Sequence, residues 1–166
     1  SAIRLMKQTG AAAVKLEGGS NRVAQIEAIV AAGIPLMGHL GFTPQSVHAI
    51  GGFKVQGRGD SANELIEQAK QLQSAGVFSL VLEMVPYSVA ESITKELTIP
   101  TIGIGAGNQT DGQILVWQDF AGLSTGSRKF VKQYANLRDE LSDAARSYRA
   151  DVQASSFPSK SQSFED

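Results

Sequence analysis

Apolar and polar positions alternate along this chain in two rhythms. Short apolar runs bounded by glycines read as strands, and stretches with apolar residues three and four apart read as amphipathic helices. A helix over 2–8, stopped by Gly10, leads into the first strand within 11–19, AAAVKLEGG. Residues 21–32 form a helix with Val23, Ile26 and Val30 on one face, and 34–39 (IPLMGH) is the second strand. Thr43 and Pro44 read as an N-cap followed by proline at the first position of a short helix, 44–49. Ser61-x-x-Glu64 and Ser88-x-x-Glu91 each have the spacing of a capping box, opening helices over 61–75 and 88–97. Between them, 77–83 (VFSLVLE) is a near-continuous apolar run of the kind buried on both faces of a parallel sheet. Residues 100–104 form the fourth strand and 111–117 (DGQILVW) the fifth. A charged helix over 129–153 and a polar tail over 154–166 complete the chain. No linker divides it, so a single domain over 1–166 is predicted.

Strands alternating with helices imply βαβ units and a parallel sheet. Two architectures fit. Strand count favours an open, doubly wound five-stranded sheet, whereas the placement of polar residues favours part of a (β/α)8 barrel. On the first strand Lys15 and Glu17 share one face while Leu16 takes the other. The second strand ends at His39 and the third at Glu83. In a barrel those ends share one rim, where active sites of that fold are built. Each residue also has a plain reading: a structural ion pair for Lys15 and Glu17, a satisfied core histidine for His39, a solvated carboxylate for Glu83. His48, on a short surface helix, reads as structural or exposed. The loop 51–59 (GGFKVQGRG) has the make-up of a binding loop or of a merely flexible one. The run GIGAG is neither a dinucleotide fingerprint nor a P-loop, because the spacing and the following lysine are absent. It signals a close approach of backbone to backbone or to a ligand.

Composition narrows the chemistry. The 166 residues carry a formal net charge of -1 with the two signs interleaved, so no basic face points to nucleic acid or to an anionic membrane. There is no cysteine, which excludes disulfides, thiolate catalysis and cysteine-held zinc. With two histidines, a metal would be held mainly by carboxylates and water, which favours ions of the Mg2+ type. No apolar run reaches the roughly 18 residues that span a bilayer, and no secretory signal is present, so a cytoplasmic location is expected. The chain opens on Ser1 rather than Met, which points to a beginning that is missing or was removed.

In this order and spacing, AVKLEGG, IPLMGHLGFTPQS, GGFKVQGR, LVLEMVP, IPTIGIGAG and DGQILVWQD closely resemble the ketopantoate hydroxymethyltransferase family. The likeness covers nearly the whole chain, to about Phe164, and implies a (β/α)8 TIM barrel of the phosphoenolpyruvate/pyruvate type. It further implies transfer of a one-carbon unit from 5,10-methylenetetrahydrofolate to the 2-oxo acid 3-methyl-2-oxobutanoate, giving ketopantoate for pantothenate synthesis. Mg2+ as cofactor and a large homo-oligomer, often a decamer, come with the family. Carried over by motif, Glu83 is the general base and Glu17 belongs to the metal shell, directly or through water. Lys15 binds the substrate oxygens, and His39 lines the same pocket beside the new hydroxymethyl group. Ahead of the VKLEGG strand the family carries about three further strand–helix units, so this chain would supply about five of the eight. Those units bear an Asp-Ser pair and a second aspartate, the main metal ligands of the family. Their place could be filled by a separate N-terminal polypeptide. The alternatives are a truncated, inactive fragment held by a partner chain and a related 2-oxo-acid lyase. Met84 stands where many members have cysteine, and Gln162 where many have histidine.

Overall fold

The computed structural model describes residues 1–126 and 128–164; the last two positions of the expected tail, 165 and 166, lie outside the described residues. The chain divides into two compact units, Ser1–Ile114 and Leu115–Asp166.

The first unit is a parallel sheet of β1 (Val14–Glu17), β2 (Leu36–Gly41), β3 (Ser79–Glu83), β4 (Thr101–Ile104) and β5 (Gly112–Gln113). The strands lie side by side in chain order, β1-β2-β3-β4-β5, and every pairing is parallel. A doubly wound sheet reverses its strand order at a switch point, whereas a barrel advances one strand at a time. The observed order is the barrel's, and the sheet is a partial one of that type.

Helices α1 (Ala2–Thr9), α2 (Val23–Ala31), α3 (Ser61–Ser74) and α4 (Tyr87–Glu96) complete this unit. Leu36 and Leu40 on β2, and Leu80 and Leu82 on β3, are spaced by two or four and so point to one face of the sheet. There they pack with Ile26 of α2, Leu65, Ala69 and Leu72 of α3, and Val89, Ala90 and Ile93 of α4. Each fully buried leucine contributes about 1.5–3 kcal/mol of transfer free energy. Gln73 braces α3 against the start of β4, its Oε1 accepting from the Thr98 amide at 2.7 Å.

Several local expectations are corrected. Neither capping box forms. Ser61 lies inside α3 behind Asp60, with its hydroxyl donating to the Arg58 carbonyl, and Pro86 occupies the N-cap of α4. The charged partners turn outward instead: Glu64 accepts from Gln68, and Glu91 pairs with Lys95 at 2.6 Å. Thr43 is the N-cap expected of it, but without a side-chain hydrogen bond, and a 3-10 turn at Pro44–Ser46 replaces the short helix. β5 spans two residues rather than seven. Its preceding residue, Asp111, accepts from the amide and hydroxyl of Thr101 at 2.8 and 3.0 Å, which fastens β5 to the start of β4.

In the second unit Trp117 opens a one-turn helix, α5 (Trp117–Phe120), and the long helix α6 spans Leu137–Gln153. The segment 129–136, expected to be helical, is not. Its end is tied to α5 instead, through the Tyr134 amide to the Phe120 carbonyl and the Leu137 amide to the Ala121 carbonyl. A capping box does occur here, at Ser159 and Gln162. Among the described residues no helix is long and apolar enough to cross a membrane.

Candidate active site

The sheet's second face carries the polar side chains. Lys15 and Glu17 alternate with Leu16, which packs against the apolar core. Register then does the assembly: Glu17 pairs with His39 across β1 and β2, and Gly41, two residues beyond His39, pairs with Glu83. Residues two apart share a face, so Lys15, Glu17, His39 and Glu83 converge at the carboxyl ends of three adjacent strands. All four sequence-predicted site residues are brought together.

The distances make one connected cluster. Lys15 Nζ lies 3.0 Å from His39 Nδ1 and 3.4 Å from Glu17 Oε1. His39 Nδ1 is 3.6 Å from Glu17 Oε1, and His39 Nε2 is 3.2 Å from Glu83 Oε2. His39 is 2% exposed and Glu83 8%. The Lys15 side chain remains 44% exposed, so the cluster opens to solvent at its lysine end. An ammonium group has donors and no acceptor, so His39 Nδ1 must accept from Lys15 and the ring proton of a neutral His39 sits on Nε2, facing Glu83. The contact to Glu83 is close but not aligned, and Nε2 is a buried ring nitrogen with no hydrogen-bond partner among the described residues. A buried polar atom left in that state is costly in a purely structural setting and common where a ligand binds.

Three features of the site act through backbone and were not legible as side-chain types. The Gln45 amide donates to Glu17 Oε2 at 3.0 Å, fixing that carboxylate from the loop after β2. Gly41 has φ +90, and a Cβ there would stand 2.2 Å from the Glu83 carbonyl oxygen, so the backbones of β2 and β3 meet beside the acid. Met84 adopts φ 49, a left-handed conformation uncommon for a residue with a side chain. Neighbouring residues crowd two of the GIGAG glycines: a Cβ on Gly107 would lie 2.6 Å from Tyr87 Cβ, and one on Gly103 2.7 Å from Thr110 Oγ1. His48 is exposed, as expected.

A cavity of about 330 Å³ lies beside the cluster, bounded by Gly18, Gly41, Thr43, Gln56 and the first turns of α3. None of the four cluster side chains lines it. The cluster, with its buried charges and unmatched ring nitrogen, is the better candidate for chemistry. It is not by itself a metal site. Among the described residues no three acidic or histidine side chains are placed to hold an ion, and one oxygen of Glu17 is already engaged by Gln45.

Comparison with known proteins finds relatives along nearly the whole chain. A 3-methyl-2-oxobutanoate hydroxymethyltransferase from Thermobifida fusca is 59% identical over 165 residues, covering 99% of this chain and 59% of the relative. Its counterpart from Corynebacterium glutamicum is 56% identical, covering 99% of this chain and 61% of the relative. A third, from Rhodococcus jostii, is 56% identical, and the chain covers 57% of it. The chain thus spans about 60% of the length of the curated relatives it matches. The profile of ketopantoate hydroxymethyltransferase matches residues 1–160, nearly the whole sequence, and on these grounds the chain belongs to the ketopantoate hydroxymethyltransferase family.

Proposed function

We propose that this chain carries the proton-abstracting part of a hydroxymethyltransferase that converts 3-methyl-2-oxobutanoate to ketopantoate with 5,10-methylenetetrahydrofolate. The observation that supports it best is the Lys15–His39–Glu83 array on one sheet face, with Glu83 8% exposed at its closed end. Glu83 takes the proton from the third carbon of the 2-oxo acid, and the electron pair passes into an enolate. Lys15 sets a positive charge against the substrate's carboxylate and the enolate oxygen as that charge grows. His39 Nε2, 3.2 Å from one oxygen of Glu83, sets a polar neighbour beside the carboxylate, whose other oxygen is left to receive the proton. The enolate carbon then bonds to the folate-derived methylene group; water supplies the hydroxyl oxygen, and tetrahydrofolate leaves.

The Mg2+ implied by the family would find one carboxylate here, Glu17. These residues alone do not fit a near-octahedral shell, and further ligands would have to come from outside them. A homo-oligomer and a cytoplasmic location are proposed with the family, as is the option of a separate N-terminal polypeptide. One observation favours a second reading, an inactive fragment that needs a partner chain: Met37, Ile102 and Ile104 on the polar face of the sheet are each partly exposed. Among the described residues of the first unit, that face is less covered than the other.

The test is product formation by the intact protein given both substrates with Mg2+. Ketopantoate that appears only when the 2-oxo acid and the methylene folate are both present supports the reading. Cleavage of a 2-oxo acid without folate would favour the lyase, and no turnover by the chain until a second polypeptide is added would favour the fragment.

A further inference from the structure

Glu83 is held by more than its own strand. Its carbonyl accepts from the Phe42 amide at 2.7 Å, and the Met84 amide donates to the Ile104 carbonyl at 2.9 Å. Both bonds continue the ladders of β3 with its neighbours. A third does not. The Met84 carbonyl accepts at 3.0 Å from the amide of Gln56, in the glycine-rich loop 51–59, which belongs to no strand. The left-handed turn at Met84 costs about 1–2 kcal/mol, a conformation that persists where its surroundings fix it. The same loop lays Phe53 on Phe42, with ring centroids 4.8 Å apart and planes 27° from parallel. Phe42 is 1% exposed and Phe53 65%, so a surface aromatic lies against a buried one. Gln56 also donates its side-chain amide to the Lys54 carbonyl at 3.0 Å, an exposed contact within the loop that is no part of either attachment. Phe42 and Met84 are the two residues bonded around Glu83, and the loop grips both.

We propose that loop 51–59 is a positioning element for the Glu83 carboxylate, anchored by the Phe42–Phe53 stack and the Gln56 amide. The inference rests on the reading of Glu83 as the base. A carboxylate that must meet a carbon acid within a narrow range of distance and angle gains from a backbone fixed on both sides. Phe53 and Gln56 act through Phe42 and Met84, so they set the rate of proton removal rather than the binding of the 2-oxo acid.

The experiment measures solvent deuterium entering the third carbon of 3-methyl-2-oxobutanoate, in the intact protein with Mg2+, for the parent and four variants. Phe53→Ala and Gln56→Pro are expected to slow exchange about 10–100-fold while KM stays within about twofold. Phe53→Tyr, which keeps the stack, and Gln56→Ala, which keeps the amide, are expected to exchange at the parent rate. An unchanged rate in Phe53→Ala, or a higher KM with an unchanged rate, overturns the proposal. If Gln56→Pro fails to fold, the exposed position 53 still decides. A parent that exchanges no proton overturns the base reading instead. The loop is then judged by the His39 Nε2 nitrogen resonance: a shift in Phe53→Ala sustains the positioning role, and an unmoved resonance removes it.

Discussion

The two faces of the sheet are built from the same strands and differ in almost every other respect. On the helix-covered face Leu36, Leu40, Leu80 and Leu82 are at most 2% exposed, and the residues around them are apolar. On the other face Lys15, Glu17, His39 and Glu83 stand among half-covered apolar side chains, with one ring nitrogen unmatched. A pleat of period two is enough to separate them. The first face supplies stability and the second, on the function proposed above, chemistry, because burying charge is tolerable only where partners or a ligand meet it. Substitutions one residue apart in a strand should therefore report on different properties.

The largest effect is expected where the backbones supporting both faces meet. Gly41→Ala adds a Cβ that overlaps the Glu83 carbonyl and forces a side chain into a left-handed conformation. A loss of about 3 kcal/mol or more is expected in chemical denaturation; a variant as stable as the parent would mean that β2 and β3 are not this close. Next, Leu82→Ala on the covered face should cost about 2–5 kcal/mol. Met37→Ala, on the polar face and partly exposed, should cost about 1 kcal/mol. Equal losses at these two positions would erase the distinction between the faces.

Lys15→Met probes the chemical face. Its side chain is 44% exposed, so stability should change by less than about 1 kcal/mol. The KM for the 2-oxo acid, read from initial rates, should rise about tenfold or more with the loss of a charged contact. A smaller effect is expected in a titration of this chain alone with Mg2+: calorimetry should find affinity no better than roughly millimolar, as one carboxylate allows. Tight binding would reveal ligands that the geometry does not assemble.

The smallest effect belongs to the surface. Lys70 lies 2.9 Å from Glu67 and 2.5 Å from Glu96, and their hydrogen bonds raise its pKa from 10.5 to about 12. A folded-state value raised in this way adds stability that is complete below about 10.5 and is lost as pH climbs through about 12. Lys70→Gln should lower the melting temperature slightly at pH 8, and the difference from the parent should close in strongly alkaline buffer.

Much of this division was legible in the sequence. Alternation along VKLE put Lys15 and Glu17 on one face, and a polar residue ending each of three apolar strands pointed to a shared rim. Strand existence was clear because apolar runs between glycines leave few other folds. Strand order was not, since counting βαβ units cannot distinguish an open sheet from part of a barrel; the neighbours of each strand had to be seen. The capping boxes misled because spacing alone does not say which residue begins the helix. Pro86, with no amide to donate and a fixed φ, took that place from Ser88. The Gln45 amide, the turn at Met84 and the grip of Gln56 were invisible because backbone groups are the same in every residue. The segment 129–136 carries charges without apolar periodicity, and charge alone gave no reason to expect it to run toward α5.

The central claim is that Glu83 removes the substrate proton. The most direct measurement is solvent deuterium entering the third carbon of 3-methyl-2-oxobutanoate, compared between the intact parent and Glu83→Gln. Glutamine keeps the shape and can still face His39, but it cannot accept the proton. A fall of about 100-fold to 10,000-fold, with the fold intact by melting temperature, is the predicted result. Exchange at the parent rate in Glu83→Gln would contradict the account and place the base elsewhere.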